Sequence, residues 1–199
     1  MAKVTISKGN SKMGEIPSVS LPPIVTCAEN CTCAKKCYAF RMYRRYKNVK
    51  QSYDENLEVL ENDSNEYWKQ IDNTLYTSRF FRFHVSGDIP NYQYLLDMVN
   101  VVSNNPHCEV LVFTKQYGLV NKALDNGLEL PRNLHILFSE WTGMKMDNKH
   151  NLPVAHVIFK NSHPESNWNI CSGNCLECAR NKMNCWTLKN GEHVAFHEH

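Results

Sequence analysis

Apolar positions recur along this chain with two different periods, and the change between them comes near residue 79. From Lys35 to about Tyr76 there is neither Pro nor Gly, and Tyr38, Met42, Tyr46, Val49, Tyr53, Leu57 and Leu60 return at spacings of three and four. That is the repeat of one helix face, so the segment is predicted helical. Asp63 or Ser64, followed by Glu66, marks the start of a second helix through Tyr67, Trp68 and Ile71, because a short polar side chain there caps free backbone N–H groups. From Arg79 onward, short apolar runs alternate with amphipathic stretches. The runs are Phe80–Val85, Val110–Phe113, Leu134–Phe138 and Val154–Phe159. Between them lie a helix from Tyr92 to Val102, stopped by Asn104-Asn105-Pro106, and one from Gly118 to Leu124, closed by Asn126-Gly127. Such alternation belongs to βα units around a parallel sheet. The expected fold is therefore α/β: a partial (β/α) barrel or open parallel sheet with an N-terminal helical segment and cysteine-rich metal-binding loops at both ends.

At 199 residues and 42% hydrophobic content the chain can bury one core comfortably, which predicts a single domain over residues 1–199. Within it, 1–40 form an arm and a first cysteine cluster, 41–78 are helical, 79–162 make the βα core, and 163–199 carry a second cysteine cluster and tail. Gly9, Gly14, Pro17, Pro22 and Pro23 make residues 1–26 turn-rich and extended, an arm expected to lie across the body. No apolar run approaches the roughly 20 residues of a membrane span, and Met1–Gly14 lacks the apolar stretch of an export signal, so a cytoplasmic protein with no membrane partner is expected.

A net charge of +2 excludes strong global attraction to nucleic acid or membrane, so such a partner needs a local patch. Arg41-Met-Tyr-Arg44-Arg45-Tyr-Lys47 is one. It suits contact with a host protein or with nucleic acid, by phosphate binding and base stacking; alternatively it is a solvated helix face with its tyrosines packed inward.

The cysteines change the picture most. Eight of nine fall in two groups, Cys27, Cys31, Cys33, Cys37 and Cys171, Cys175, Cys178, Cys185, leaving Cys108 as a structural thiol. In a reducing compartment such clustering indicates metal ligation rather than disulfides. Tightly packed runs of thiolates suit a [4Fe–4S] cluster, one or two per chain, and zinc is the alternative. One cysteine of a group standing aside would leave an iron open to a substrate or cofactor.

The predicted strands also end alike: Ser86-Gly87-Asp88, Thr114-Lys115, Ser139-Glu140-Trp141 and Lys160-Asn161 are polar. In parallel α/β folds the carboxyl ends of strands carry the site. His84, Asp88, Lys115 and Glu140 are thus the candidate catalytic residues, His84 being equally readable as a hydrogen-bonded core histidine. The tail histidines His193, His197 and His199 could bind metal adventitiously and carry no assignment.

Asn10-Ser11-Lys12-Met13-Gly14, Cys37-Tyr38-Ala39, Arg82-Phe-His84-Val-Ser86-Gly87-Asp88, the Tyr94 helix, Phe113-Thr114-Lys115 and Cys185-Trp186 together resemble the phage gene product 88 family over nearly the whole chain. That resemblance implies a bacteriophage setting without supplying an activity. More distantly, a cysteine cluster before a partial barrel is similar to the radical S-adenosylmethionine enzymes. This likeness implies a [4Fe–4S] cluster on three cysteines with S-adenosylmethionine on the fourth iron. It also implies cofactor contacts at strand ends, for which Ser86 and Gly87 stand in, and an auxiliary cluster on the C-terminal cysteines. The family spacing is Cys-x3-Cys-x2-Cys; Cys27 and Cys31 fit its first interval, whereas Cys33 comes one residue early and Cys37 three late.

Overall fold

The computed structural model describes residues 3–29, 31–160 and 162–198, so Asn161 and His199 lie outside the described residues. Seven strands make one all-parallel sheet: β1 (Ser18–Val19), β2 (Phe80–Phe83), β3 (Glu109–Thr114), β4 (Leu134–Ser139), β5 (Val154–Ile158), β6 (Asn169–Ile170) and β7 (His193–His197). Their order is β1-β2-β3-β4-β5-β7-β6. The two-residue strands β1 and β6 are its edges, so the sheet is open and does not close into a barrel.

Among the described residues six α-helices accompany it: α1 (Tyr38–Arg45), α2 (Lys47–Asn62), α3 (Ser64–Thr77), α4 (Tyr92–Ser103), α5 (Tyr117–Asp125) and α6 (Cys175–Arg180). Asp63 caps α3 by accepting from the Glu66 N–H at 3.0 Å, and Asn91 caps α4 by accepting from Tyr94 N–H at 2.9 Å. The predicted helical segment is broken once more than its periodicity indicates, because Tyr46 takes an extended conformation between α1 and α2. No helix among the described residues is long and apolar enough to cross a membrane.

The hand of the crossovers decides which side of the sheet each helix covers. β2, β3 and β4 step in one direction, and right-handed crossovers then put their helices on one face. There Phe81, Phe83, Val110, Val112, Ile136 and Phe138 pack with Tyr67, Ile71, Leu75, Tyr94 and Leu95. The step from β6 to β7 runs backward toward β5, so the same handedness sends α6 to the other face. On that face Phe80, Leu111, Leu137, Ala155 and Val194 meet Cys178, Ala179, Cys185 and Trp186, together with Met13 and Ile16 of the arm.

The arm is more than a cover. Ser7 and Ser18 bridge antiparallel, and β1 joins the sheet by pairing Ser18 with Arg82 and Val19 with Phe83. Nor is the tail loose: β7 lies between β5 and β6, with Val194 and Ala195 fully buried.

Asn56, wholly buried on α2, ties the arm down. Its carbonyl accepts from Thr5 N–H at 2.6 Å, and its amide donates to Thr5 O at 3.1 Å and Ser20 O at 2.9 Å. Asn56→Ala would strand these groups without partners, and should cost about 1–3 kcal/mol. A lower urea midpoint at unchanged slope would register the loss.

Candidate metal centre at the carboxyl edge of the sheet

The first cysteine loop is anchored to the ends of β2 and β3. Thr26, just before Cys27, donates its hydroxyl to Pro22 O at 2.9 Å and accepts from Asp88 N–H at 3.2 Å. Leu21 N–H donates to Ser86 O at 3.1 Å. Gly87 has φ +77°, and a Cβ there would lie 2.6 Å from Thr26 Oγ1 and 2.7 Å from Leu21 O, so only glycine allows this approach. The Ser86-Gly87-Asp88 turn is thus the seat of the loop.

Asp88 is buried, and its carboxylate accepts from Thr114 Oγ1 (2.6 Å), Ile89 N–H (2.8 Å) and Lys115 N–H (2.8 Å). Desolvation nonetheless outweighs these bonds and holds its pKa above the ordinary carboxylate range. Lys115 donates from Nζ to Ser139 Oγ at 2.8 Å, and its charge reaches Cys31, Cys33 and Cys37. Glu140, at the end of β4, pairs with His156 Nδ1 at 2.5 Å, and His156 Nε2 meets His193 Nδ1 at 2.8 Å. Trp168 stacks on the His156 ring at 3.8 Å and 5°. Lys160 is exposed beyond β5.

The structure therefore gathers Asp88, Lys115, Glu140 and the first thiols along one edge, and adds Tyr117, whose hydroxyl donates to Ser139 O at 2.5 Å and whose ionisation is opposed first by burial and then by the charges of Asp88, Cys31, Glu140 and Cys33. Sequence reading passed over His156 and Tyr117. An imidazole inside the apolar run Val154–Phe159 was the available signal for the first.

His84 stands apart from that group. It is 5% exposed with φ +58°, its ring lies against Phe83 and Tyr94, and neither ring nitrogen has a hydrogen-bond partner among the described residues. Burial pushes its pKa down to about 3, so the imidazole is neutral. The hydrogen-bonded core histidine anticipated as the alternative is thus a core histidine without hydrogen bonds.

All nine cysteines are free thiols. In the first loop three of them share hydrogen bonds. Cys31 Sγ and Cys33 Sγ are 2.7 Å apart, and Cys33 also hydrogen-bonds with Cys37. Hydrogen bonding with Cys33 brings Cys31 and Cys37 down to about 6, and the same bonds push the Cys33 thiol up. Cys37 also caps α1, accepting from Phe40 N–H at 3.4 Å, where the helix terminus favours a thiolate. Cys27 accepts from Ile24 N–H at 3.2 Å; desolvation pushes its pKa up to about 12, and the charges of Asp88, Cys31 and Cys37 within reach add to the rise.

The second group lies on the sheet face opposite helices α3 to α5. Asn174 caps α6 by accepting from Glu177 N–H at 3.1 Å, while Cys171 and Cys175 flank buried Cys178 and Cys185. Arg82 of β2 donates to Cys175 Sγ at 3.7 Å, lies over the Phe113 ring at 5.0 Å, and opposes the upward pull of burial on Cys185. No carboxylate among the described residues pairs with it, so a half-buried guanidinium faces sulfur. Among the described residues no three His, Cys, Asp or Glu side chains stand positioned to hold a metal ion. The donor chemistry of both groups fits a thiolate-bound metal; the side-chain orientations are those of free thiols.

An open, all-parallel α/β sheet with one thiol group at its carboxyl edge and another on its face defines a cysteine-rich α/β protein. The chain belongs to the phage gene product 88 family, whose sequence profile matches residues 2–195. No curated protein and no solved structure matches it.

With a native pKa of about 3 against an ordinary value near 6.5, His84 takes up its proton in the unfolded chain first as pH falls. Its contribution to stability is present above pH ~6.5 and is lost at roughly 1 kcal/mol per pH unit as pH drops toward 3. His84→Gln should flatten that part of the stability profile, read from urea midpoints between pH 7 and pH 4.

Proposed function

We propose that this phage protein is a cytoplasmic iron–sulfur protein of the host cell. It carries one [4Fe–4S] cluster on the first cysteine group and a second on Cys171, Cys175, Cys178 and Cys185. In the finer reading it is an enzyme of radical S-adenosylmethionine type, with Lys115 and Glu140 around the substrate or cofactor, Asp88 positioning the thiol loop and Gly87 at the cofactor; His84, in the core, and Ser86, in the wall of a groove beside α1, lie outside this set. The observation that carries this is the gathering of the first four thiols at the carboxyl edge: Cys31, Cys33 and Cys37 share hydrogen bonds within reach of the Lys115 charge, and Cys27 lies within reach of Cys31 and Cys37. Three thiolates on a four-iron cluster leave one iron available to a ligand.

In such a site the cluster would supply one-electron chemistry. The chain's own residues have separable tasks. Asp88 is a positioning residue that fixes the loop against β2 and β3, Lys115 offsets thiolate charge, and Glu140 orients His156. At the second group, Arg82 balances the negative charge of bound thiolates. Zinc on the same thiols remains the alternative metal, and a phage accessory protein binding its partner through Arg41, Arg44, Arg45 and Lys47 the alternative role.

Protein purified without oxygen should contain near eight irons and eight sulfides per chain and absorb broadly near 400 nm. About two zincs without sulfide would overturn the cluster assignment. Cys31→Ser should remove metal from the first site alone and Cys178→Ser from the second alone, by iron analysis of the folded variants. Loss of all iron in either would mean one shared centre. Arg82→Gln should move the reduction potential of the second cluster downward, because the more negative reduced state loses its nearby cation; electrochemistry on the Cys31→Ser variant isolates that cluster.

A further inference from the structure

Helix α1 keeps part of its apolar stripe at the surface, although the Tyr38 hydroxyl donates to Val85 O at 2.9 Å. Tyr38 is 46% exposed, Met42 37% and Tyr46 43%, although their spacing predicts a face turned to the core. With Val49, Tyr53 and Ser86 they line a groove of about 270 Å³ between α1, α2 and the end of β2. That is just under the range typical of small-ligand sites, roughly 300–1,000 Å³. The Ser86 hydroxyl in its wall is buried and has no hydrogen-bond partner among the described residues.

Charge is concentrated on the segment that forms one wall of the groove. Residues 31–53 hold Lys35, Lys36, Arg41, Arg44, Arg45, Lys47 and Lys50 with no Asp or Glu, against a net charge of only +2 for the whole chain. Lys36 and Lys50 pair with Glu198 and Asp54, whereas Arg41, Arg44, Arg45 and Lys47 are exposed and have no acidic partner among the described residues. Arg45 lies over the Tyr46 ring at 5.4 Å, which ties one cation to the groove, and Arg44 lies over Phe40, outside its lining, at 5.7 Å.

We propose that this groove binds single-stranded nucleic acid, one base entering between Tyr38, Met42 and Tyr46 while Arg41, Arg44, Arg45 and Lys47 hold the flanking phosphates. Exposed aromatic faces beside unpaired cations match a polymer of planar rings joined by anions. A duplex keeps its bases stacked and offers the groove only backbone. The buried Ser86 hydroxyl meets a polar edge of the inserted base. The proposal is independent of the metal: it would stand in a zinc protein or an iron–sulfur protein alike.

The test is fluorescence anisotropy of the full chain with a labelled single-stranded oligothymidine, repeated with an abasic strand, a duplex and polyglutamate as competitors. The oligothymidine should bind more tightly than the abasic strand or the duplex, with affinity falling linearly in log salt. Tyr46→Ala should weaken binding roughly 5- to 150-fold without altering the salt slope. Arg44→Gln with Arg45→Gln should reduce that slope by roughly 1 to 2. Both sets are exposed, and circular dichroism and melting of each variant verify the fold. Equal binding of abasic and normal strands, a silent Tyr46→Ala, or polyglutamate displacing as well as the oligonucleotide would each overturn the assignment, the last in favour of an acidic peptide.

Discussion

The buried carboxylate of Asp88 joins three parts of the chain that are far apart in sequence. It receives the Thr114 hydroxyl and the Lys115 N–H from the end of β3, while its own N–H reaches Thr26 at the root of the first cysteine loop. A carboxylate removed from water is costly unless its oxygens are occupied, and here each oxygen is. The loop therefore cannot leave the carboxyl edge without exposing a chain of unpaired groups. Gly87 makes the contact close enough to form, since any side chain there would strike Thr26 and Leu21. The thiols, Lys115 and Glu140 become neighbours as a result.

The second thiol group owes its place to topology. A parallel sheet needs long crossovers of one hand, and a reversal in strand order moves the crossover to the other face. The β6 to β7 step is that reversal, so α6 and its cysteines land on the face that α4 and α5 leave bare. Arg82, held by Phe113, faces them from the sheet, and Ser172 and Asn184 hydrogen-bond with Cys178. Each thiol group thus faces a cation from the sheet, Lys115 for the first and Arg82 for the second, an electrostatic setting suited to thiolates.

A third polar constellation borders the first group. Glu140, His156 and His193 form one hydrogen-bonded line across β4, β5 and β7, with Trp168 stacked upon its central ring. β5 begins level with the end of β4, as the pairing of Phe138 with Val154 and Ser139 with Ala155 requires. This stagger carries His156 beyond the carboxyl edge of β4 and lets it receive Glu140.

Local chemistry determined much of this in the sequence itself. Asp63 and Asn91 start helices because their side chains cap wherever the following residues are helical, and the apolar runs at Phe80, Val110, Leu134 and Val154 need no distant partner to read as strands. The polar strand ends and both cysteine groups were equally legible, since spacing is local. The tertiary structure decided the rest, for reasons of distance. β1 and β6, two residues each, carry too little periodicity to be seen and form only against Arg82 and Val194. The exposure of Tyr38, Met42 and Tyr46 follows from the break at Tyr46, which turns the stripe away from the core that Leu75 and Tyr94 occupy. His156 and His193 are 37 residues apart, and only strand register could bring their nitrogens together. Periodicity states which face a residue prefers; whether another element arrives to cover that face is set by the rest of the chain.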